Sequence, residues 1–254
     1  MSKIKVLLAG EAWTAGTIHT KGFDQFATSD YQTGVGPLQA ALEDSDVDLV
    51  HLPAPQVPAQ FPATREALAA YDVVMLSDIG ANSMLLHPDT FLRGQRTPNR
   101  LKLLAEWVEE GGALVMAGGY YSFQGLNGGA RYHGTPIETI LPVSIAPQDD
   151  RLEVPEGFSP VPLADHPILA GIKGEWPYLL GLNTVTVKPD ATLLVGMPAA
   201  SGGHPVLAVG THGKGRTMAW TTDVAPHWLP DEFSRWPGYA TLWRQAFAWL
   251  AQRT

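Results

Sequence analysis

Short apolar runs alternate with amphipathic segments through the first half of the chain. The apolar runs predict β-strands at residues 4–9, 47–52, 71–76 and 113–117. Apolar side chains that recur three and four positions apart predict helices at residues 36–44, 64–70 and 97–110. Thr64 is a good helix cap and Pro98 suits a first helical position, which supports the last two helices. Strands that alternate with helices in this way predict an α/β fold with a doubly wound, mainly parallel sheet.

The pattern changes after Gly129, where prolines become frequent and the apolar runs shorten. The later segments predict a short helix at 136–141, strands at 184–187 and 191–195, a hairpin of 205–210 with 215–220, and a closing helix at 242–250. The polar segment 11–30 is expected to be a loop, and four prolines between 53 and 62 predict a second, extended loop. We therefore expect residues 1–254 to form one domain, whose second half completes the sheet and adds an antiparallel extension.

The composition is that of an ordinary globular protein, with 45% hydrophobic and 17% charged residues. No apolar run approaches the roughly 18 residues that suggest a membrane span, and no signal-peptide pattern precedes the first strand. We therefore expect a cytoplasmic protein that has no membrane partner. A net charge of −8 with scattered signs argues against nucleic acid as a partner. The absence of cysteine excludes disulfides, thiolate metal sites and a cysteine nucleophile.

Polar residues directly follow three of the predicted strands. Glu11 lies after the first strand, Asp78 after the third, and Gly119 and Tyr120 after the fourth. Since ligands of parallel α/β sheets bind at the carboxyl ends of the strands, we expect these residues to line a binding site. Glu11 and Asp78 are candidates for general acid or base catalysis, or for binding sugar hydroxyls. The structural alternative is a salt bridge or a helix cap, and Asp78 is in position to cap a segment after Ile79.

The fourth strand ends in a glycine pair and leads into the sequence Tyr-Tyr-Ser-Phe-Gln at 120–124. Two glycines allow a sharp turn that presents the next side chains above the sheet. Tyr120 and Ser122 are therefore candidates for hydrogen bonds to a polar ligand; alternatively, the aromatic residues only pack the loop against the body. His133 follows this turn and is a further candidate at the same face, although a lone loop histidine is more often structural.

Asp223 and His227 follow the strand that ends near residue 220, and they lie four positions apart in a turn that contains Pro226. This spacing allows both side chains to converge on one ligand. Two ligands are too few for a zinc site, and a third would have to come from the strand-end or loop candidates above. We therefore assign no metal and no cofactor, and we retain Asp223 and His227 as ligand-binding candidates.

Several segments, taken in order, resemble a known superfamily. They are GGYYSFQG at 118–125, DHPIL at 165–169, the hairpin residues 205–216, DVAPHW at 223–228 and the terminal helix. Their order is similar to that of the class I glutamine amidotransferase-like superfamily. More narrowly, it resembles the cysteine-less putative glutamine amidotransferases that are related to ThuA-like trehalose-utilisation proteins. The resemblance covers nearly the whole chain and implies a flavodoxin-like sheet and a ligand that is a sugar or a sugar derivative.

The chain departs from the active members of this superfamily at the catalytic residues. Active amidotransferases place a cysteine at a turn after a strand and pair it with a His-x-Glu dyad late in the chain. Aligning that turn with residues 118–122 puts Tyr120 at the nucleophile position, and a phenol with a pKa of about 10 is a poor nucleophile toward an amide. No histidine is followed by x-Glu; the nearest pattern is His87-Pro-Asp89, which precedes the turn. The resemblance therefore implies a fold, and we expect no glutaminase activity.

Two functions are compatible with these observations. In the first, the protein binds or acts on a small polar, sugar-like metabolite at the carboxyl ends of the strands. In the second, a degenerate amidotransferase fold serves as a non-catalytic scaffold that assembles with itself or with a partner. We expect a homo-oligomer whose interface contains the tryptophans and prolines of segments 53–62 and 228–243, because aromatic side chains are enriched in interface cores.

Overall fold

The computed structural model describes residues 2–253, which contain fourteen strands. In chain order they are β1 (Ile4–Gly10), β2 (Ala12–Lys21), β3 (Asp24–Thr33), β4 (Val47–Pro53), β5 (Val73–Ser77), β6 (Ala113–Ala117), β7 (Val143–Ile145), β8 (Arg151–Phe158), β9 (Val161–Pro162), β10 (Leu179–Asn183), β11 (Val185–Val187), β12 (Thr192–Gly196), β13 (Pro205–His212) and β14 (Gly215–Trp220). Eight of these strands form the main sheet, in the order β4-β1-β5-β6-β14-β13-β12-β9.

Five neighbouring strands of the main sheet, β4, β1, β5, β6 and β14, are parallel. The remaining three strands are antiparallel to their neighbours: β13 pairs with β14, β12 with β13 and β9 with β12. They form an antiparallel extension of the sheet, built from the second half of the chain. Every residue of β5 and β6 is buried, because helices cover both faces of this part of the sheet. The predicted α/β fold, with its mainly parallel sheet and antiparallel extension, is confirmed.

The helices of residues 2–253 pack on the two faces of the sheet. They are α1 (Gly36–Leu42), α2 (Val57–Gln60), α3 (Arg65–Leu68), α4 (Ala81–Leu85), α5 (Pro88–Arg93), α6 (Arg100–Glu109), α7 (Pro136–Ile140), α8 (Asp231–Arg235) and α9 (Pro237–Leu250). One hydrophobic core lies under α1, α8 and α9, and the other under α2, α4, α6 and α7. Alternate residues of β1 enter the two cores, with Val6 and Leu8 on one side and Leu7 and Ala9 on the other. None of these helices is long and apolar enough to cross a membrane.

Residues 12–33 form a long hairpin, whereas the sequence predicted a polar loop as far as Asp30. β2 pairs with β3 without a register shift, and Gly22, with φ of +61°, takes the first position of the two-residue turn. Almost all of the hairpin is exposed on both faces. An exposed hairpin lacks the apolar and polar alternation that marks a half-buried strand, which explains the wrong prediction.

Two other segments differ from the prediction. Residues 53–62 are not an extended loop, because a 3-10 turn at 54–56 and helix α2 follow each other there. Each has a proline as its second residue, in the first turn, where the missing N–H has no helical partner to lose. Residues 143–183 contain the four strands β7 to β10, which the frequent prolines of this region concealed.

Two of the three tryptophans in segment 228–243 belong to the interior of the chain, and the third is partly buried. Trp228 and Trp243 are fully buried, and Trp236 packs against the rings of Trp176 and Phe233. Buried rings stabilise the core through their large apolar area and edge-to-face contacts. Trp228 and Trp243 are therefore not available to a partner, whereas the expected homo-oligomer itself stays a prediction.

Candidate functional site

A pocket opens where β1, β5, β6 and β14 end, at the carboxyl edge of the parallel strands. Its cavity volume is about 420 Å³, and it is lined by Glu11, Trp13, Asp78, Tyr120, Tyr121, Asp223, Ala225, Pro226 and His227. This volume lies in the range of small-molecule sites. Two larger hollows of about 540 Å³ lie beside α1 and between residues 162 and 176, but within residues 2–253 neither is lined by a buried carboxyl group.

Glu11 is positioned by the turn that ends β1. Gly10 has φ of +122°, and a Cβ at this residue would lie 1.7 Å from the carbonyl oxygen of Ser77, so only glycine fits. Glu11 itself has φ of +47°, in the left-handed region that is costly for a residue with a side chain. Its N–H donates to the Ser77 carbonyl at 3.1 Å, and the Ser77 hydroxyl donates to its carboxyl at 2.5 Å. Backbone strain of this kind motivates a functional hypothesis for Glu11.

The carboxyl group of Glu11 is buried with the residue only 5% exposed. Burial raises the pKa of Glu11 to about 8, and the nearby Asp78 and Asp223 carboxylates also raise it, although the Ser77 hydrogen bond opposes the shift. Glu11 is therefore protonated at neutral pH. A protonated carboxyl donates a hydrogen bond, so Glu11 is a candidate proton donor in this pocket.

Asp78 turns into the same pocket from the end of β5, with φ of +45°. Its backbone N–H donates to the Ser122 hydroxyl at 3.0 Å, and its carboxylate accepts the N–H of Tyr121 at 2.8 Å. Burial raises the pKa of Asp78 and the charge of Asp223 adds to the effect, while the Tyr121 N–H and His227 oppose it. Asp78 therefore retains a proton more readily than an exposed aspartate, as a general acid or base requires.

Gly119 leaves room for two carboxylates to approach each other. Its φ is +135°, and a Cβ at this residue would lie 3.0 Å from an oxygen of Asp78 and 3.0 Å from an oxygen of Asp223. The two oxygens are thus at most twice that distance apart. A side chain at position 119 would occupy the space between them, so the glycine pair of the turn permits the acidic cluster to form.

Asp223 and His227 form a hydrogen-bonded pair at the end of β14. The Asp223 carboxylate accepts His227 Nδ1–H at 3.0 Å and the backbone N–H of Trp228 at 2.8 Å. The hydrogen bond to Asp223 raises the pKa of His227, whereas partial burial of the ring lowers it. The pair therefore favours a protonated imidazole at the edge of the pocket, next to the acidic cluster.

Tyr120 forms one wall of the pocket. Its ring meets the His227 ring edge-on with 4.5 Å between centroids, and the Arg151 guanidinium lies 5.0 Å from its centroid. Its hydroxyl donates to Glu153 at 3.1 Å, and the Trp228 indole N–H donates to the other oxygen of Glu153 at 2.8 Å. Glu153, on β8, thus holds Tyr120 and Trp228 in place.

The loop after β6 is held from behind by Asp150, which is almost fully buried. The Asp150 carboxylate accepts the N–H groups of Gln124 and Gly125 at 2.9 and 2.8 Å and the amide of Asn183 at 2.8 Å. The side-chain oxygen Oδ1 of Asn183 in turn accepts the N–H of Gly119 at 3.0 Å. These bonds satisfy buried backbone donors of the loop and fix its path beside the pocket.

The structure places five of the eight candidate residues around the pocket: Glu11, Asp78, Tyr120, Asp223 and His227. Gly119 lies next to two of them, Asp78 and Asp223. These residues do meet at the ends of the strands, as expected. That they bind a ligand stays a prediction. Within residues 2–253, no three histidine, cysteine, aspartate or glutamate side chains are grouped so that they could hold a metal ion.

Ser122 and His133 do not line the pocket, so the position expected for them is wrong. Ser122 is buried and accepts the Asp78 N–H, because the loop turns back beneath the end of β5. His133 lies farther along, where its Nδ1 bonds to the carbonyl oxygen of Ile145 at 2.7 Å. Asp78 is also not a helix cap, since Gly80 occupies the capping position of α4.

Trp13, Tyr121 and Glu153 were not predicted as parts of the site. Trp13 lies two residues beyond Glu11, at the base of the hairpin, and assigning strand β2 correctly would have brought it to the pocket. Glu153 reaches Tyr120 from β8, 33 residues away in the sequence. No local pattern signals that contact, because it depends on where β8 lies against the loop.

A family model described as "Putative glutamine amidotransferase" matches residues 5–252 of the chain. Two solved structures are similar over nearly the whole length. The cytoplasmic protein STM3548 from Salmonella typhimurium is 36% identical with a TM-score of 0.92, covering 97% of this chain and 99% of that one. The cytoplasmic protein STM1381 from Salmonella typhimurium LT2 is 38% identical with a TM-score of 0.91 and the same coverage of both chains. Comparison with curated proteins gives no match.

A more distant likeness extends to part of a large enzyme. The cold-adapted β-galactosidase from Rahnella sp. R3 is 14% identical with a TM-score of 0.53, and the match covers 84% of this chain but 26% of that one. At this identity the likeness shows a shared fold alone.

Proposed function

The chain belongs to the putative glutamine amidotransferase family, and from this premise we propose that its strand-end pocket binds a small, neutral, polyhydroxylated molecule of the sugar type. The observation that supports the proposal is the convergence of Glu11, Asp78 and Asp223, with His227, on one cavity of about 420 Å³. Hydroxyl groups are both donors and acceptors, so one ligand can donate to carboxylates and accept from a protonated carboxyl. The strand ends of an α/β sheet are where such ligands bind.

The charge of the pocket favours a neutral ligand over an anion. Three carboxyl groups line it, and the imidazole of His227 is already engaged by Asp223. A ligand carboxylate or phosphate would face the charges of Asp78 and Asp223 at low solvent exposure, where repulsion is stronger than in water. The aromatic rings of Trp13, Tyr120 and Tyr121 supply apolar walls on which the C–H faces of a sugar ring can pack.

The site is equipped for proton transfer. Glu11 is protonated at neutral pH, and Asp78 and the Asp223–His227 pair lie beside it as proton acceptor and donor groups. General acid–base chemistry on a hydroxylated compound is therefore the class of reaction that these groups support. The resemblance to active amidotransferases puts Tyr120 at their nucleophile position. Partial burial and the bond to Glu153 raise the pKa of Tyr120, so we do not expect hydrolysis of glutamine.

We expect this function in the cytoplasm, in line with the description of STM3548 and STM1381 as cytoplasmic proteins. The expected ligand is a metabolite of central or peripheral carbon metabolism that carries several hydroxyl groups and no net charge.

A thermal-shift panel tests the proposal. Neutral sugars and sugar alcohols are compared with sugar acids, amino acids and glutamine, each up to millimolar concentration. A ligand at 100 times its Kd adds about 2.7 kcal/mol to the stability of the folded state, so binding raises the melting temperature measurably. We expect at least one neutral sugar to raise it, and we expect glutamine to have no effect.

Matched variants assign the binding to the pocket. Asp78→Asn alters a pocket carboxylate, whereas Asp89→Asn alters an aspartate of α5 that pairs with Arg93 outside the pocket. The shift should disappear in Asp78→Asn and persist in Asp89→Asn. A panel in which no neutral sugar stabilises the protein, or in which glutamine does so and releases ammonia, would contradict the proposal.

A further inference from the structure

The hairpin of β2 and β3, residues 12–33, forms a separate two-stranded sheet that we term the arm. Every residue of β3 is exposed, and the main contact of the arm with the rest of the chain is near the 3-10 turn at 54–56. An isolated two-stranded hairpin is at best marginally stable in water. Proline residues and β-bulges normally keep exposed strand edges from pairing with other chains. The two strands of the arm, each ten residues long, contain neither a proline nor a register shift.

The two faces of the arm differ in composition. Side chains alternate between faces along a strand, so the register assigns one set to each face. The first set holds every charged residue of the arm and is termed the charged face: Trp13, Ala15, Thr17, His19 and Lys21, with Asp24, Phe26, Thr28, Asp30 and Gln32 opposite them. Side chains on this face contact each other across the two strands. The Trp13 indole N–H donates a hydrogen bond to Gln32, and the His19 ring stacks on Phe26 with 4.6 Å between centroids.

The second set is termed the uncharged face: Ala12, Thr14, Gly16, Ile18 and Thr20, with Gln25, Ala27, Ser29, Tyr31 and Thr33 opposite them. Ile18 is 68% exposed and Tyr31 is 52% exposed, and they project from a surface of small residues. A Cβ at Gly16 would meet no atom within 4 Å, so nothing in the described part of the chain requires glycine there. A molecule that packs closely on this face would explain why position 16 has no side chain.

We propose that the uncharged face is a homodimer interface, in which two arms stack face to face about a twofold axis. Ile18 and Tyr31 of one subunit then pack over Gly16, Ala27 and Ser29 of the partner subunit, and the reverse contact follows from the symmetry. A second copy fits this face because it carries no charge, so two chains of net charge −8 approach without placing like charges in contact. An acidic or basic partner would find no complementary charge there.

The dimensions of the arm set the strength of the dimer. Ten residues per strand and two strands give a face about 33 Å long and about 10 Å wide. Two such faces in contact bury on the order of 700 to 1,000 Å², which is below the standard interface and belongs to the class of weaker, reversible complexes. From this small area we expect a dimer that exchanges with the monomer, and this inference does not depend on the ligand of the pocket.

Sedimentation velocity between 1 and 200 µM tests the proposal. The wild-type mass should rise with concentration from that of the 27.4 kDa monomer toward twice that value. Ile18→Arg introduces a charge on the uncharged face and should remain monomeric over the whole range. Thr17→Arg places the same charge on the opposite face of the same strand and should dimerise like the wild type.

Gly16→Val gives a second, independent variant. Valine fits the open space at this position in the monomer and favours strand structure, so the folded chain should be unaffected. It fills the hollow that Ile18 of the partner subunit needs, and the dimer Kd should rise at least tenfold. A wild-type protein that stays monomeric at 200 µM, or variants of the two faces that dimerise equally, would overturn the proposal.

Discussion

Replacing Gly10 with alanine is expected to lower the free energy of unfolding by about 4 kcal/mol or more. The added Cβ would lie 1.7 Å from the backbone oxygen of Ser77, and that atom belongs to the neighbouring strand β5, so it cannot move without parting the two strands. The φ of +122° is also one that alanine adopts only at a cost. Because Gly10 turns the chain into Glu11, the variant should lose the pocket together with its stability.

Urea denaturation of wild-type and variant proteins measures this effect. Gly16→Ala is the matched control, because a Cβ at Gly16 meets no atom within 4 Å, its φ is not positive and no proline follows it. Its stability should remain within about 1 kcal/mol of the wild type. If Gly10→Ala were as stable as Gly16→Ala, the close approach of β1 and β5 at the pocket would be wrong.

Replacing Glu11 with glutamine is expected to make the protein more stable than the wild type at pH 8, but much less so at pH 4. The pKa of Glu11 is about 8 in the folded chain and near 4.5 in the unfolded chain. Below pH 4.5 both states hold the proton, so the pKa difference has no effect on stability. As the pH rises from 4.5 to 8, only the unfolded state releases its proton, and wild-type stability is lost progressively. The loss relative to Glu11→Gln reaches on the order of 4 kcal/mol.

The melting temperatures of both proteins between pH 4 and pH 9 provide the measurement. Asp78, Asp223 and His227 are present in both, so the difference between the two curves reports the ionisation of Glu11 together with its coupling to these groups. Glu156→Gln, at an exposed position of β8, serves as the control and should follow the wild-type curve. Parallel curves for wild type and Glu11→Gln would show that Glu11 is ionised at neutral pH, and would contradict the raised pKa that we attribute to its burial.

Much of the sheet could be predicted from sequence, because its central strands are covered on both faces. β1, β5 and β6 are short apolar runs that end in polar residues, and that signal depends on burial alone. The arm could not be predicted in the same way, because an exposed hairpin has no buried face and its sequence therefore lacks regularly spaced apolar residues. β8 and β10 were missed for a related reason, since their pairing is irregular and β8 contains Pro155.

The site was predictable where a residue's position follows from a strand end. Glu11, Asp78 and Asp223 directly follow, or lie close to the end of, parallel strands, so the topology alone brings them to one edge. Ser122 was misplaced because its side chain satisfies the Asp78 N–H, and the path of an irregular loop is not encoded in local propensity. The high pKa of Glu11 could not be predicted either, since it results from burial among residues distant in sequence.

The measurement that most directly tests the central claim is calorimetric titration of the best neutral sugar from the panel at pH 6 and pH 9, into wild type and Glu11→Gln. If a protonated Glu11 donates to the ligand, wild-type affinity should fall about tenfold between pH 6 and pH 9, because the pKa of Glu11 is about 8 and the protonated fraction falls by that factor. The glutamine amide remains a donor at both values of pH, so Glu11→Gln should bind with little change. Equal wild-type affinity at the two values, or the same fall in Glu11→Gln, would contradict the role of Glu11 and the account of the pocket.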